Sequence, residues 1–127
     1  MKVSINERGK FTEAESFLKR VKYFKLKQLT SKAAEEGLAL LKAATPVDTG
    51  RTQSMWRSEI SIGDESLTIS WCNDNVTSQG DPIIILLQYG HGNGRGGYTP
   101  GRDIINPAVQ TVYDKYIGEI RKEMQKL

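Results

Sequence analysis

The chain has 127 residues, a net charge of +3 and a hydrophobic fraction of 38%, which fits one globular domain over 1–127 with a small core. Cys72 is the only cysteine, so a disulfide within the chain is excluded and a reducing compartment is expected. The first residues lack the apolar run of a signal peptide, and the longest apolar run, 82–87, is too short to cross a membrane. We therefore expect a soluble protein made in the cytoplasm, without a membrane partner.

The first predicted elements are two helices. A capping-box pattern at Thr12–Glu15 predicts an N-terminal helix over 11–24, and apolar residues at steps of three or four predict a long helix over 26–44. Pro46 ends the second helix, because a proline in a helix interior removes a backbone hydrogen bond. Gly37 lies inside the second helix at a cost of about 1 kcal/mol relative to alanine, and a close helix crossing would explain it.

This helical region is strongly basic. Between Ser16 and Ala34 there are six basic residues and no acidic one. One interpretation is a solvent-exposed helix face, and the alternative is a surface that contacts DNA phosphates without reading sequence. Tyr23 and Phe24 are expected in the core, so an array for base stacking is not indicated. The candidate DNA-contacting residues are Lys19, Arg20, Lys22, Lys25 and Lys27.

A β-hairpin is predicted over 53–73. Apolar residues alternate along both strands, and the register that pairs Ile60 with Ile69 puts the isoleucine, leucine and tryptophan side chains on one face. That face is expected to cover the core. Cys72 falls on the opposite, polar face, where we interpret it as an incidental small residue and not a nucleophile.

The rest of the chain alternates loops with short apolar segments. Residues 73–82 are expected to form a surface loop, and residues 83–89 fit either a short helix or a buried strand. Six of the twelve residues in 90–101 are glycine, so a flexible loop is expected there. Asn106 as a cap and a proline in the first turn predict a C-terminal helix over 106–126. The expected fold class is α+β, in which a small antiparallel sheet with the hairpin at its centre packs against the long helix and the C-terminal helix.

The sequence offers little for catalysis. His91 is the only histidine, without a second histidine or a cysteine pair to complete a metal site, so no metal or other cofactor is expected. Residues 92–97 match G-x-G-x-x-G in form, but no helix can begin in the segment that follows, which argues against a dinucleotide site. A hydrolase that uses serine, aspartate and His91 is an alternative that no nucleophile elbow supports. We therefore expect a protein that is not an enzyme.

Two segments resemble a known protein family. The first is Pro46-Val47-Asp48-Thr49-Gly50-Arg51, between a helix and a strand. The second is Tyr89-Gly90-His91-Gly92, followed after a glycine-rich stretch by Ile104-Ile105-Asn106-Pro107-Ala108. In order and spacing, over about residues 30 to 118, they resemble the HK97 gp10-like proteins, which are neck or tail-completion proteins (head-tail connectors) of tailed bacteriophages. The resemblance also favours a short helical turn at 83–89.

The first of these segments also has a direct physical interpretation. Asp48 and Thr49 can bond nearby backbone amides, Gly50 can take a positive φ, and Arg51 could bridge to a carboxylate or a helix end, within or between subunits. A stable helix-to-strand turn without further function is the alternative. The chain departs from the family in two ways, since Gln88 stands where an acidic residue is frequent and the connection to the last helix is longer and rich in glycine.

The resemblance implies a structural virion protein, present in the host cytoplasm during assembly. It would form a ring of six or twelve copies, with the head-tail connector or head-closure protein and the tail terminator or tail tube protein as further partners, and its basic residues would face the passing DNA. The glycine-rich loop would order on a partner through His91, Arg95, Tyr98 and Arg102. A head-closure or tail-terminator role is an alternative, as is a small, sequence-independent DNA-binding protein.

Overall fold

The computed structural model describes residues 1–8, 16–46, 50–63, 66–92, 94 and 96–126. The chain is α+β, as predicted, with two small antiparallel sheets. The helices in these ranges are α1 (Ser16–Ala44), α2 (Arg51–Ser54), α3 (Ile83–Tyr89) and α4 (Ile105–Gln125). The strands are β1 (Lys2–Arg8), β2 (Trp56–Ile62), β3 (Ser66–Asn73), β4 (Gly90–Gly92) and β5 (Tyr98–Pro100).

The larger sheet has the strand order β1-β3-β2, and both pairings are antiparallel. The predicted hairpin register is confirmed, because Ile60 pairs with Ile69. The prediction that the hairpin forms the centre of the sheet holds only for its second strand, since β1 pairs with the free side of β3 and leaves β2 at an edge. Sequence analysis missed β1, although Val3 and Ile5 alternate there with polar residues.

The core lies between this sheet and the two long helices, α1 and α4. Trp71 at the centre of the sheet is fully buried, and its indole Nε1 donates to the Ala34 carbonyl of α1 at 2.9 Å. Gly37 lies against the same ring, and a Cβ there would come within 2.3 Å of Trp71 Cζ2. The close approach predicted for Gly37 is therefore present, but it joins a helix to the sheet and not to another helix.

Two predictions for the N-terminal helices are wrong. The helices over 11–24 and 26–44 are one continuous helix from Ser16, because neither glycine nor proline interrupts the sequence between them; the capping-box pattern lies outside the described residues. Tyr23 and Phe24 are exposed, and Phe24 is 60% accessible. Phe24 precedes the buried Leu26 by two residues, about 200° around the helix, and so points away from the core.

The two faces of the sheet are less distinct than the alternating pattern predicts. Ile60, expected on the core side, is 38% exposed because it lies on the edge strand β2. Cys72, expected on the polar face, is buried because it lies on the central strand with Lys2 and Arg57 as its cross-strand neighbours. Burial in this sheet thus depends on strand position as well as on the face.

The C-terminal half of the chain follows the predictions more closely. The helix predicted over 106–126 is α4, which buries one apolar face, and the helical alternative for 83–89 is the one observed. The flexible loop predicted over 90–101 instead contains the short ladder of β4 and β5, in which His91 pairs with Thr99. We call residues 90–100 the arm. No helix in the described parts of the chain is both long and apolar enough to span a membrane.

Candidate functional site

The first motif segment is described at its two ends. Pro46 follows α1, and Gly50 precedes α2 with φ +80°, which confirms the predicted positive φ. Arg51 begins α2 with an exposed side chain. Val47, Asp48 and Thr49 lie outside the described residues, so the predicted bonding of Asp48 and Thr49 stays a prediction.

Side-chain hydrogen bonds tie α2 and the start of β2 to the end of α1. Gln53 Nε2 donates to the Lys42 carbonyl at 2.9 Å. The buried indole of Trp56 donates to Thr45 Oγ1 at 2.8 Å, and this hydroxyl donates to the Leu41 carbonyl at 2.6 Å. These hydrogen bonds therefore fix the bend between the helix and the strand, and the buried Trp56 and Thr45 side chains both have hydrogen-bond partners.

Two buried asparagines tie α2 to the end of the central strand. Asn73 Nδ2 donates to the Thr52 carbonyl, and Asn75 Nδ2 donates to Thr52 Oγ1, both at 2.8 Å. The Asn75 carbonyl accepts from the Ile83 amide at 3.1 Å, which positions the start of α3. Sequence analysis treated 73–82 as a surface loop and missed these contacts, since nothing local in the sequence indicates that the asparagines are buried.

These contacts place α2 beside α3, with an open groove of about 320 Å³ between them. We call it the α2–α3 groove. Val76 on the 73–82 loop is half exposed at the groove, and a Cβ on Gly50 would meet no atom within 4 Å. The lining residues are Pro46, Gly50, Arg51, Thr52, Asn75, Val76, Ile83 and Leu87. The groove therefore joins the first motif segment to the helix that leads into the second.

Gln88 organises the second motif segment, and sequence analysis did not single it out for this role. Its buried side chain accepts at Oε1 from the amides of Ile104 and Ile105, at 2.7 and 3.0 Å, and donates from Nε2 to Asp103 Oδ1 at 2.7 Å. This hydrogen bond from Gln88 is the main reason that the pKa of Asp103 lies below its usual value. One glutamine thus holds the end of α3 against the start of α4.

The predicted cap of α4 is wrong. Asn106 lies inside the helix, which begins at Ile105, and its amide donates to Asp103 Oδ1 at 3.2 Å. The first amides of α4 are therefore satisfied by Gln88 and Asp103, as a helix N-terminus requires. A glutamine suits this position, because an ionised glutamate there would have no N–H group to donate to Asp103.

Close backbone contacts form the root of the arm. A Cβ on Gly101 would come within 2.5 Å of the Gln88 carbonyl oxygen, and a Cβ on Gly90 would come within 2.7 Å of the Thr99 carbonyl oxygen. The Arg102 amide donates to the Leu87 carbonyl at 2.9 Å. The two glycines are needed at the root because main chain packs directly on main chain.

The arm carries most of the predicted docking residues. Tyr98 is 66% exposed and its hydroxyl donates to the carbonyl of Tyr89, which is 67% exposed. Arg102 is also exposed, Arg95 lies outside the described residues, and His91 is only partly exposed. The structure therefore brings the two tyrosines together on the surface.

The two remaining motif residues lie on α4. Pro107 is exposed and Ala108 is buried in the core. Ala108 therefore acts in packing, whereas Pro107 occupies the first turn of the helix, as its sequence position predicts.

The candidate DNA-contacting residues are only partly described. Lys25 and Lys27 are exposed on α1, whereas the side chains of Lys19, Arg20 and Lys22 lie outside the described part of the chain. Lys25 lines a cleft between α1 and α4 together with Glu119 and Glu123. These carboxylates lower the positive potential on that side of α1.

The described residues include no group of three or more histidine, cysteine, aspartate and glutamate side chains that could hold a metal ion. His91 Nδ1 lies 3.4 Å from the Leu86 carbonyl oxygen, so a backbone group, and not a carboxylate, faces this nitrogen. No protein-family model matches the chain, and comparisons with curated proteins and with solved structures give no significant match. The resemblance to phage neck proteins therefore depends on the two motif segments.

Proposed function

We propose that this chain is a structural virion protein of a tailed bacteriophage, which forms a ring in the neck and completes the tail where it joins the head connector. The observation that supports the proposal is spatial. The first motif segment lines the α2–α3 groove at Pro46, Gly50 and Arg51. The opposite wall of the groove is α3, the helix that leads into the second segment and the arm.

The surfaces of this region suit binding better than turnover. The groove is lined by Val76, Ile83 and Leu87 together with the polar side chains of Thr52 and Asn75. Asn75 Nδ2 already donates to Thr52 Oγ1, so a partner that covers these two groups does not have to replace that bond. Tyr98 of the arm and Tyr89 at the end of α3 are both exposed, and tyrosine is a residue type enriched in protein interfaces. Because Gln88 and the glycine contacts hold the root, docking would cost less ordering entropy than it would for a free loop.

A neck ring also sets a geometric requirement. In a closed ring, each copy meets its two neighbours through two different surfaces that complement each other. The groove and the arm are two such surfaces on one chain. The proposed assembly has six or twelve copies, and its other faces would meet the head-closure protein and the tail terminator or tail tube protein.

The proposal is tested in phage particles that carry an altered copy of the protein. Deleting residues 92–98 removes most of the arm and leaves the core residues in place, so a folded protein is expected whose particles accumulate as separate heads and tails. Substituting the exposed Gln110 by alanine on α4 is the matched control and should give joined particles. Infectious particles at normal yield from the deletion, or absence of the protein from the neck in a virion reconstruction, would contradict the proposal.

Contact with DNA along α1 is a second proposal, which the exposure of Lys25, Lys27 and Phe24 supports. The affinity for duplex DNA should fall steeply as the salt concentration rises. The double change Lys25→Glu with Lys27→Glu should make the dependence of log affinity on log salt concentration less steep. Equal binding by the double variant and the unaltered protein, measured by fluorescence anisotropy over a salt series, would contradict this second proposal.

A further inference from the structure

We infer that the free protein pairs with a second copy through the open edge of β2, so that the two three-stranded sheets join into one. The two β2 strands run antiparallel in this pair, with Ser58 of one copy opposite Ser58 of the other. The inference goes beyond the proposed function and does not depend on it, because a twofold pair closes on itself and uses neither the α2–α3 groove nor the arm.

The hydrogen bonds of the sheet show which main-chain groups of β2 point away from β3. The Gly63 amide donates to the Ser66 carbonyl at 2.8 Å, and hydrogen-bonded pairs alternate with non-hydrogen-bonded pairs along an antiparallel ladder. The amides and carbonyls of Trp56, Ser58 and Ile60 therefore point outward. No other strand in the described ranges pairs with this side of β2, so these groups can accept a further strand.

Ile60 distinguishes the edge at β2 from the edge at β1. The Ile60 side chain lies on the core side of the sheet, yet it is 38% exposed. On β1, Ile5 is buried, and the residues whose main-chain groups point outward have the polar side chains of Lys2, Ser4 and Asn6. Polar and charged side chains protect an edge from pairing with another sheet, whereas an exposed apolar side chain favours such pairing. The edge at β2 is therefore the less protected one.

Charge selects one register for the two β2 strands. A register centred on Arg57 or on Glu59 places that residue opposite its own copy, so like charges meet. The register centred on Ser58 places Arg57 opposite Glu59 twice, and a register centred on Ile60 brings no opposite charges together. Arg57 uses Nε and Nη1 for Asp74 and Glu59 of its own chain, so Nη2 is the group that donates across the pair.

The same register covers the exposed isoleucine. Each Ile60 lies opposite Trp56 of the other copy, on the core side of the joined sheet, and each hydrogen-bonded pair exchanges both of its main-chain hydrogen bonds. Only residues 56–60 of each copy pair, far fewer than the roughly 20–30 residues a side of a standard interface. A weak dimer that forms at high protein concentration is therefore expected.

Proline substitution tests which edge pairs. Ser58→Pro removes an amide that points outward from β2, so it should abolish dimers in sedimentation at millimolar concentration and leave the circular dichroism spectrum unchanged. Ser4→Pro removes the corresponding outward amide of β1 and is the matched control, which should associate like the unaltered protein. An unaltered protein that stays monomeric, or a Ser58→Pro variant that associates equally well, would overturn the inference. Loss of association in Ser4→Pro would assign the contact to β1 and overturn it as well.

Charge reversal tests the register. Arg57→Glu and Glu59→Arg each place like charges opposite each other in the pair, so each variant alone should stay monomeric. An equimolar mixture restores opposite charges at both positions and should form mixed dimers, identified by mass. Lys122→Glu, a charge reversal at an exposed residue of α4, is the control and should dimerise like the unaltered protein. Single variants that still associate normally, or a mixture that stays monomeric, would contradict the pairing of β2 with β2.

Discussion

The body of the protein and its arm are held together by different forces. The body, formed by the larger sheet with α1 and α4, buries a continuous apolar cluster around Trp71. The arm buries little, and it is held at the root by glycine contacts and by the hydrogen bonds that Gln88 Oε1 accepts from the Ile104 and Ile105 amides. The comparison teaches that the two regions can be perturbed separately, because burial stabilises the first and polar contacts stabilise the second.

The largest effect is expected in the body, from Trp71→Ala. The change removes a fully buried ring and its hydrogen bond to Ala34, so the free energy of unfolding should fall by about 3–5 kcal/mol. Phe24→Ala, which truncates an exposed aromatic residue, is the control and should stay within about 0.5 kcal/mol of the unaltered protein. Urea denaturation measures both, and equal losses would contradict the assignment of the core.

A smaller effect in the body is expected from Gly37→Ala. The new Cβ would collide with the Trp71 ring, and overpacking of this kind costs about 1–3 kcal/mol. Gly118→Ala, inside α4 with open space around its Cβ, should instead stabilise the protein by about 0.5–1 kcal/mol. Opposite shifts in melting temperature are therefore expected, and shifts of the same sign would show that Gly37 does not pack as described.

Gln88→Leu should loosen the root of the arm. It leaves the buried amides of Ile104 and Ile105 without their acceptor, at a cost of about 1–3 kcal/mol. Hydrogen exchange should quicken at these two amides and in the arm, while the amides of β3 keep their protection. Loss of protection throughout the sheet would mean that the two regions are coupled, and it would contradict the statement that they can be perturbed separately.

The smallest effect concerns a surface contact between α1 and α4. The Tyr116 hydroxyl donates to Glu36, and this bond, ahead of the contact with Lys115, holds the pKa of Glu36 below its usual value. A carboxylate with a lowered pKa in the folded state adds stability above its unfolded pKa and loses it as the pH falls through the folded value.

Tyr116→Phe should therefore raise the pKa of Glu36 toward its ordinary value. The variant should be slightly less stable than the unaltered protein at neutral pH, and this difference should disappear in acid. NMR titration of the Glu36 carboxyl measures the shift. Tyr113→Phe is the control, since the Tyr113 hydroxyl accepts from Arg121, and an equal shift in both variants would contradict the assignment.

Sequence reasoning succeeded where the relevant information is local. The alternation around Ile60 and Ile69 determined the hairpin register, and the apolar period of residues 106–126 predicted α4 to within one residue. It failed where the partner lies far along the chain. Nothing near Gln88 indicates that its amide caps a helix sixteen residues later, and strand β1 depends on β3, whose paired residues lie 58 to 70 positions away.

The single cysteine gives the body a built-in reporter. Cys72 lies on the central strand and is 4% exposed, so a thiol reagent reaches it only when the sheet opens or the neighbouring side chains of Lys2 and Arg57 move aside. The rate at which the native chain is alkylated therefore reports motion at the sheet without any engineered label. Motion confined to the arm would leave the alkylation rate unchanged. The thiol therefore reports on the body of the protein and not on the arm.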